Sequence, residues 1–289
     1  MNFRRLMAMA AAAAMSVCLL AGCGGSNSGG SDNDSTPAGS GSGSGGADQS
    51  LQYVLDKGEL VLGLDDSFPP MGYRDDNNEI VGFDIDVATA VCEKLGVELV
   101  TQPVDWDSKE LELNAKNIDC IWNGLSVSEE RLESMNMSIP YMENHMALVV
   151  RPDDSVTSIE DMEGKILAVQ SGSTAEEALE SEDGAALNDI IANVNGFDDN
   201  LTALMDLDTR ASDAVLMDDV VANYLIEQNN KGYVVLSDFL YAEDYAIAFR
   251  KGDDALTEAV NEALRELKED GTLAEISTKW FGSDKTTVE

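Results

Sequence analysis

The chain has 289 residues, of which 55 are acidic and 18 basic, giving a formal net charge of −37 with a single histidine. That balance excludes nucleic acid and anionic lipid headgroups as partners, because phosphate binding needs clustered Lys and Arg, and it fits a solvated, exported surface. Four cysteines without a CxxC spacing and one histidine leave no basis for a metal site, and no cofactor motif stands out.

The N-terminus reads MNFRRLMAMAAAAAMSVCLLAGCGG: two arginines, an apolar run from Leu6 to Ala21, then Leu20-Ala21-Gly22-Cys23. The run is short for a membrane span and reads as a secretory leader over 1–22. The small residues before Cys23 resemble the lipobox of bacterial lipoproteins, which implies Cys23 as a lipidated anchor to the membrane. Removing Arg4 and Arg5 with the leader removes no acid, so the mature chain is more negative still. Residues 23–50 are Gly- and Ser-rich with nothing to build a core, and read as a flexible tether with a mean span of roughly 30 Å.

From Leu51 onward strands and helices alternate. Glu59 to Leu64 is a short apolar strand, and Ile85, Ala88, Val91, Cys92 and Leu95 recur at helical spacing until Gly96 stops them. Val97 to Val100 and Ile118 to Trp122 read as strands, Leu111 to Ala115 falls in a short helix, and Ser128 opens another. A second series follows: Ala147 to Val150, Ile166 to Val169, a helix from Thr174, Ala214 to Met217, a helix from Asp219 to Gln228, and Tyr233 to Leu236. The end is helical, with Leu256, Val260, Leu264 and Leu267 on one face, Gly271 as a stop, and Thr272-Leu-Ala-Glu275 as a capping box for a last helix. Alternation of this kind predicts an α/β fold built on mainly parallel sheets. Cys92 and Cys120 both lie on apolar faces; a bridge is open to them in an exported chain, and two buried thiols are the alternative.

Seven separated segments, in order, resemble the family 3 extracellular solute-binding proteins, the amino-acid receptors of bacterial ABC importers. They are LVLGLDDSFPPMGYRDDNNEIVGFDIDVATAVCEKLGV, PVDWDSKELELNAKNIDCIWNGLSVSEER, SIPYMENH, GKILAVQSGSTAEEAL, SDAVLMDDVVANYLI, DYAIAFRKGD and LKEDGTLAEISTKWFG. No single segment is decisive, and all seven stand in register. The resemblance implies a two-lobed periplasmic-binding-protein fold of type II. Lobe 1 would comprise 51–146 plus 241–289, lobe 2 would comprise 147–240, and two crossing strands near Ala147 to Arg151 and Leu240 to Ala246 would join them. A free amino acid would lie in the cleft and draw the lobes together by hinge motion.

The same resemblance assigns the site. Arg131 matches the arginine that takes the ligand's α-carboxylate, and a guanidinium can pair with both oxygens in a fork. With Ser128 as N-cap, Arg131 stands at the third helical position, where the helix dipole disfavours a cation. Ser126 matches a hydroxyl on the same carboxylate, and the Gly124 carbonyl matches an acceptor for the ammonium. Ser173-Thr-Ala-Glu176 reads as a capping box, leaving N–H groups at and near Thr174 for an anion. Asp218, at the end of an apolar strand, matches the acid that receives the α-ammonium.

Phe68 and Trp106 match aromatic walls, with Pro69-Pro70 stiffening the first of them. Asp65, Met71, Trp122, Asn123, Glu143, Gln170 and Met217 lie at or beside specificity positions. Trp122 stands where many relatives carry a small residue and Met71 where an aromatic is common, so the ligand class is clearer than the ligand; polar uncharged and sulfur-containing side chains are weakly favoured. The expected function is that of an amino-acid receptor, a monomer partnered by the ABC permease subunits. Two other functions share the scaffold: an enzyme like the cyclohexadienyl dehydratases, which needs an acid or base in the cleft, and a sensor component that presents ligand.

Overall fold

A computed structural model describes residues 48–229 and 232–289. The predicted leader over 1–22, Cys23 and all but the end of the predicted tether lie outside the described residues.

Two sheets organise the molecule. The first runs Glu98–Pro103, Glu59–Leu64, Cys120–Ile121, Ala248–Arg250, Met135–Met137. Its first three strands are parallel, whereas Ala248–Arg250 is antiparallel to both of its neighbours. The second runs Asn193–Phe197, Ile166–Gln170, Ala214–Asp218, Met142–Val150, Val234–Val235; here too the first three are parallel and the fourth is antiparallel. Tyr241–Tyr245 pairs antiparallel with the first half of Met142–Val150. The strands buried on both faces are near-continuous apolar runs, as parallel sheets covered by helices require.

Phe83–Leu95 and Asp254–Glu269 close over these sheets on the apolar faces expected of them. Phe83–Leu95 buries Phe83, Ile85, Val87, Ala88, Val91 and Cys92 and ends at Gly96, whose left-handed φ of 73° returns its N–H to the last turn. Gly82, before that helix, could not be another residue, since a Cβ there would lie 2.0 Å from the Met71 carbonyl oxygen. Asp254–Glu269 packs Leu256, Val260, Leu264 and Leu267 into the same core. The last helix, Thr272–Phe281, is not opened by a capping box. Gly271 in the left-handed region is its N-cap, and the Thr272 N–H donates to Asp270 Oδ1 at 3.0 Å. Thr272 is already helical and its hydroxyl is in the wrong place to cap.

The chain passes from the first sheet to the second over 138–141 and returns over 246–247, so Met142–Val150 and Tyr241–Tyr245 run side by side at the junction of the two lobes. Asp65 and Trp122 follow the carboxyl ends of strands in the first sheet, and Gln170 and Asp218 close strands of the second. Carboxyl ends of parallel strands are where open α/β sheets take ligands. Cys92 and Cys120 are both free and buried, and burial pushes the Cys92 thiol up to about 12.

Candidate functional site

Arg131 is carried by the short helix Glu129–Ser134, capped by Ser128, whose Oγ accepts the Arg131 N–H. The side chain is only 2% exposed. Nη1 donates to the Ser126 carbonyl at 2.9 Å, and Nη2 donates to Glu177 Oε1 at 2.9 Å and to the Gly172 carbonyl at 3.3 Å. Its Nε meets no partner. A buried guanidinium with an orphaned N–H still has capacity for an incoming anion.

Ser126 and Thr174 come from opposite lobes and meet, with Thr174 Oγ1 3.2 Å from Ser126 Oγ. Between them lies a carboxylate that the sequence did not single out. Glu243, on Tyr241–Tyr245, accepts from Ser126 Oγ at 2.5 Å, from Asn144 Nδ2 at 2.7 Å and from Thr174 Oγ1 at 3.1 Å. The Asn144 amide also donates to Asp218 Oδ1 at 2.8 Å, and Tyr245 Oη donates to the same oxygen at 2.6 Å. Burial, then the neighbouring Glu243 charge, pushes the Asp218 carboxyl up to about 8.

Gly124 adopts φ +56°, and a Cβ there would come within 2.9 Å of the Phe68 ring and 3.2 Å of the Tyr245 ring. Its N–H donates to Asp84 Oδ2 at 2.6 Å, and Tyr141 Oη donates to the same oxygen at 3.0 Å. Asp84 is fully buried, which pushes its carboxyl up to about 7. It holds the 122–126 turn from behind.

Asp65 and Gln170 join across the lobes, Gln170 Nε2 donating to Asp65 Oδ2 at 2.8 Å, while Asn123 Oδ1 accepts the Asp65 N–H. Burial pushes the Asp65 carboxyl up to about 6. The Gln170 amide is fixed in turn by the Asp198 carbonyl and Asn200. Lys109 closes the same side: its Nζ donates to the Gly172 carbonyl at 2.7 Å and lies 4.9 Å from the Trp106 ring centre. Burial, helped by Arg131, pushes the ammonium down to about 8. Tyr73 and Tyr224 touch hydroxyl to hydroxyl at 2.8 Å, again from opposite lobes.

The predicted residues therefore divide. Arg131, Ser126, Thr174 and Asp218 converge, and Asp65, Asn123 and Gln170 form an adjoining group. Phe68 lies against the Gly124 turn. Trp106 packs with Leu113, Ile121 and Leu125, Met217 and Met71 are buried in the larger core, and Trp122 is wholly buried 6.3 Å from the Tyr141 ring. Ser173 acts as a helix cap: its Oγ accepts the Glu176 N–H, and the Glu176 carboxylate reaches back to the Gly172 N–H, one residue before the cap. Thr174 offers its hydroxyl to the group. Glu143 is exposed beside His145 and stands apart. Sequence reasoning missed Glu243, Asn144, Glu177, Lys109, Tyr245 and Asp84. Alternation along Tyr241–Tyr245 could have found Glu243, since positions 241, 243 and 245 share a face.

A family model, the bacterial extracellular solute-binding proteins of family 3, matches residues 60–283. The chain belongs to that family. Among curated relatives of this family-3 chain, the L-cystine-binding protein TcyJ of Escherichia coli (strain K12) is 32% identical over 243 residues, covering 83% of this chain and 89% of that protein. Among solved structures, an ABC uptake transporter substrate-binding protein from Streptococcus pneumoniae with bound histidine is 40% identical with a TM-score of 0.80, over 83% of this chain and 99% of that one. Tv2483 bound to L-arginine is 32% identical with a TM-score of 0.79, over 83% and 98%. All three are binding proteins. Membership of an extracellular family also means that the site works outside the cytoplasm, and no helix of the described residues is long and apolar enough to cross a membrane.

Proposed function

We propose that the chain captures a free L-amino acid between its lobes and hands it to the permease subunits of an ABC importer, while lipidated Cys23 and the 23–50 tether hold it at the outer face of the cell membrane. The observation that carries this reading is the convergence, from both lobes, of Arg131, Ser126 and Thr174 beside Asp218. That set offers a cation and two hydroxyls to a carboxylate and an acid to an ammonium. The ligand carboxylate takes Arg131 from Glu177, the Gly124 carbonyl and Asp218 take the ammonium, and the Asp65, Gln170 and Asn123 side with Phe68, Trp106 and Met217 bounds the side chain.

The moving bodies are 51–146 plus 241–289 against 147–240, turning about the paired strands at the junction. Contacts such as Lys109 to Gly172 and Tyr73 to Tyr224 form only with the lobes together, so ligand binding and closure are linked. No bond is made or broken in this function, and a ligand recovered from the protein is chemically unchanged. The receptor acts as a monomer.

Thermal shift of ligand-stripped protein against the twenty amino acids and cystine tests the reading. One or a few should raise the Tm, as any ligand of the native state does, and Arg131→Ala should abolish the response while remaining folded. No response to any of them, or an undiminished response in Arg131→Ala, overturns it.

A further inference from the structure

Glu243 has a role that the matching of family positions does not supply. It is 8% exposed, yet all three of its donors, Ser126, Thr174 and Asn144, are neutral. Among the described residues it has no ion-pair partner, and neither has Asp218, with which it shares the Asn144 amide. The nearby cations are committed elsewhere. Arg131 is answered by Glu177 at 2.9 Å, and the Lys109 ammonium is held on the carbonyls of Trp106 and Gly172. Asp65, held by the Gln170 amide and the Ser67 N–H, is a further carboxyl without a cation. The closed cleft thus holds more buried carboxyls than its own basic groups answer, so an added cation finds an unpaired acid waiting.

Resting on the amino-acid receptor reading, we propose that Glu243 is a charge-selecting residue of the cleft, which makes it prefer amino acids bearing a second positive charge over neutral ones of the same shape and reject acidic ones. An α-amino acid brings one carboxylate for Arg131 and one ammonium for Asp218. Those two charges cancel and leave Glu243 unanswered, now with a second carboxylate competing for the hydroxyls of Ser126 and Thr174. A cationic side chain supplies the missing charge and need not touch Glu243. At about 7 Å and an effective dielectric near 20, the attraction corresponds to roughly thirtyfold or more in affinity. The weak preference for polar uncharged and sulfur-containing side chains rests on Asp65 and Gln170 together with Trp122, Met71 and Met217; Trp122 and Met71 are wholly buried in the core, which leaves Asp65, Gln170 and Met217 to bear on it.

Calorimetric titration of the full mature protein, stripped of bound ligand, decides the matter with matched pairs: arginine against citrulline, lysine against norleucine, and glutamine against glutamate. At least one cationic member should bind tenfold or more tighter than its neutral partner, and glutamate should not bind. Glu243→Gln should cut that ratio about tenfold, chiefly by weakening the cationic ligand, and Glu243→Asp should restore most of it. Citrulline, glutamine or cystine binding as tightly as every cationic ligand in the wild type overturns the proposal and leaves the receptor reading intact. An unchanged ratio in a folded Glu243→Gln does the same. Should that variant fail to fold, the wild-type ratios together with Glu243→Asp decide the question by themselves. If no amino acid binds the wild type, the receptor reading falls and the proposal with it.

Discussion

Asp84 and Asp218 are both buried carboxyls, both are held by a tyrosine hydroxyl, and burial pushes both up, yet they sit in opposite circumstances. Around Asp84 the partners are the Gly124 N–H and Tyr141 Oη, supplied by one lobe, with a core of Phe83 and Trp122 packed about them. Around Asp218 the donors are Asn144 and Tyr245 on the junction strands, and the nearest charge is a second carboxylate. A buried carboxyl satisfied by neutral donors of its own lobe stiffens a turn. One that shares a neutral donor with another acid on the same sheet, at the edge of a cleft, is costly until a cation arrives. The first kind belongs to architecture and the second to binding.

Several substitutions would break or sharpen this contrast. The largest effect falls on the binding side. Asp218→Ala and Arg131→Ala should each lower ligand affinity by at least a hundredfold, since truncating one partner of a buried charge pair costs roughly 2–5 kcal/mol or more. Stability should fall little, and titration calorimetry with melting curves reads both. Equal affinity in either variant would remove that residue from the site.

On the architectural side, Asp84→Ala strands the Gly124 N–H and the Tyr141 hydroxyl. At about 1–3 kcal/mol for a group left unsatisfied, the Tm should drop by several degrees. Asp84→Asn keeps an acceptor and should lose less. If Asp84→Ala melts like the wild type, the turn is held some other way.

The contrast also has a pH signature. Asp218, Asp84 and Asp65 titrate in the folded state at about 8, about 7 and about 6, above their unfolded value near 4. As pH rises past 4 the unfolded chain releases these protons first. Their contribution is therefore full below about pH 4 and is lost step by step up to about pH 8. Between about pH 4 and pH 8 the ligand-free protein should melt progressively lower as pH rises. Asp84→Asn should remove part of that slope without touching ligand binding. A Tm that climbs with pH over this range would contradict the assignment.

The smallest expected effect concerns Trp122. Trp122→Phe should cost on the order of 1–2 kcal/mol in stability through lost packing. The order in which amino acids bind should stay the same, and a changed order would return Trp122 to the pocket.

Most of the architecture was legible because it rests on local periodicity. The apolar strands from Glu59 and Ala214, the helical spacing from Ile85 to Leu95, and its stop at Gly96 each needed no knowledge of distant residues. Arg131 was conspicuous as an arginine amid acids and with a cation's misfit near a helix start; in a helix of six residues that misfit is slight, and burial proved the stronger sign. The Thr272 capping box failed because a pattern of residue types does not say which residue is the first to be helical.

The sequence by itself determined which segments form strands and helices and which residue types a carboxylate or an ammonium would need, because those depend on nearest neighbours along the chain and on side-chain chemistry. Only the tertiary structure decided that Trp122 and Met71 lie in the core rather than the cleft, and that Glu243 stands between Ser126 and Thr174. Those facts depend on which segments, far apart in the chain, the two lobes bring face to face. Burial then sets how strongly each charge is felt.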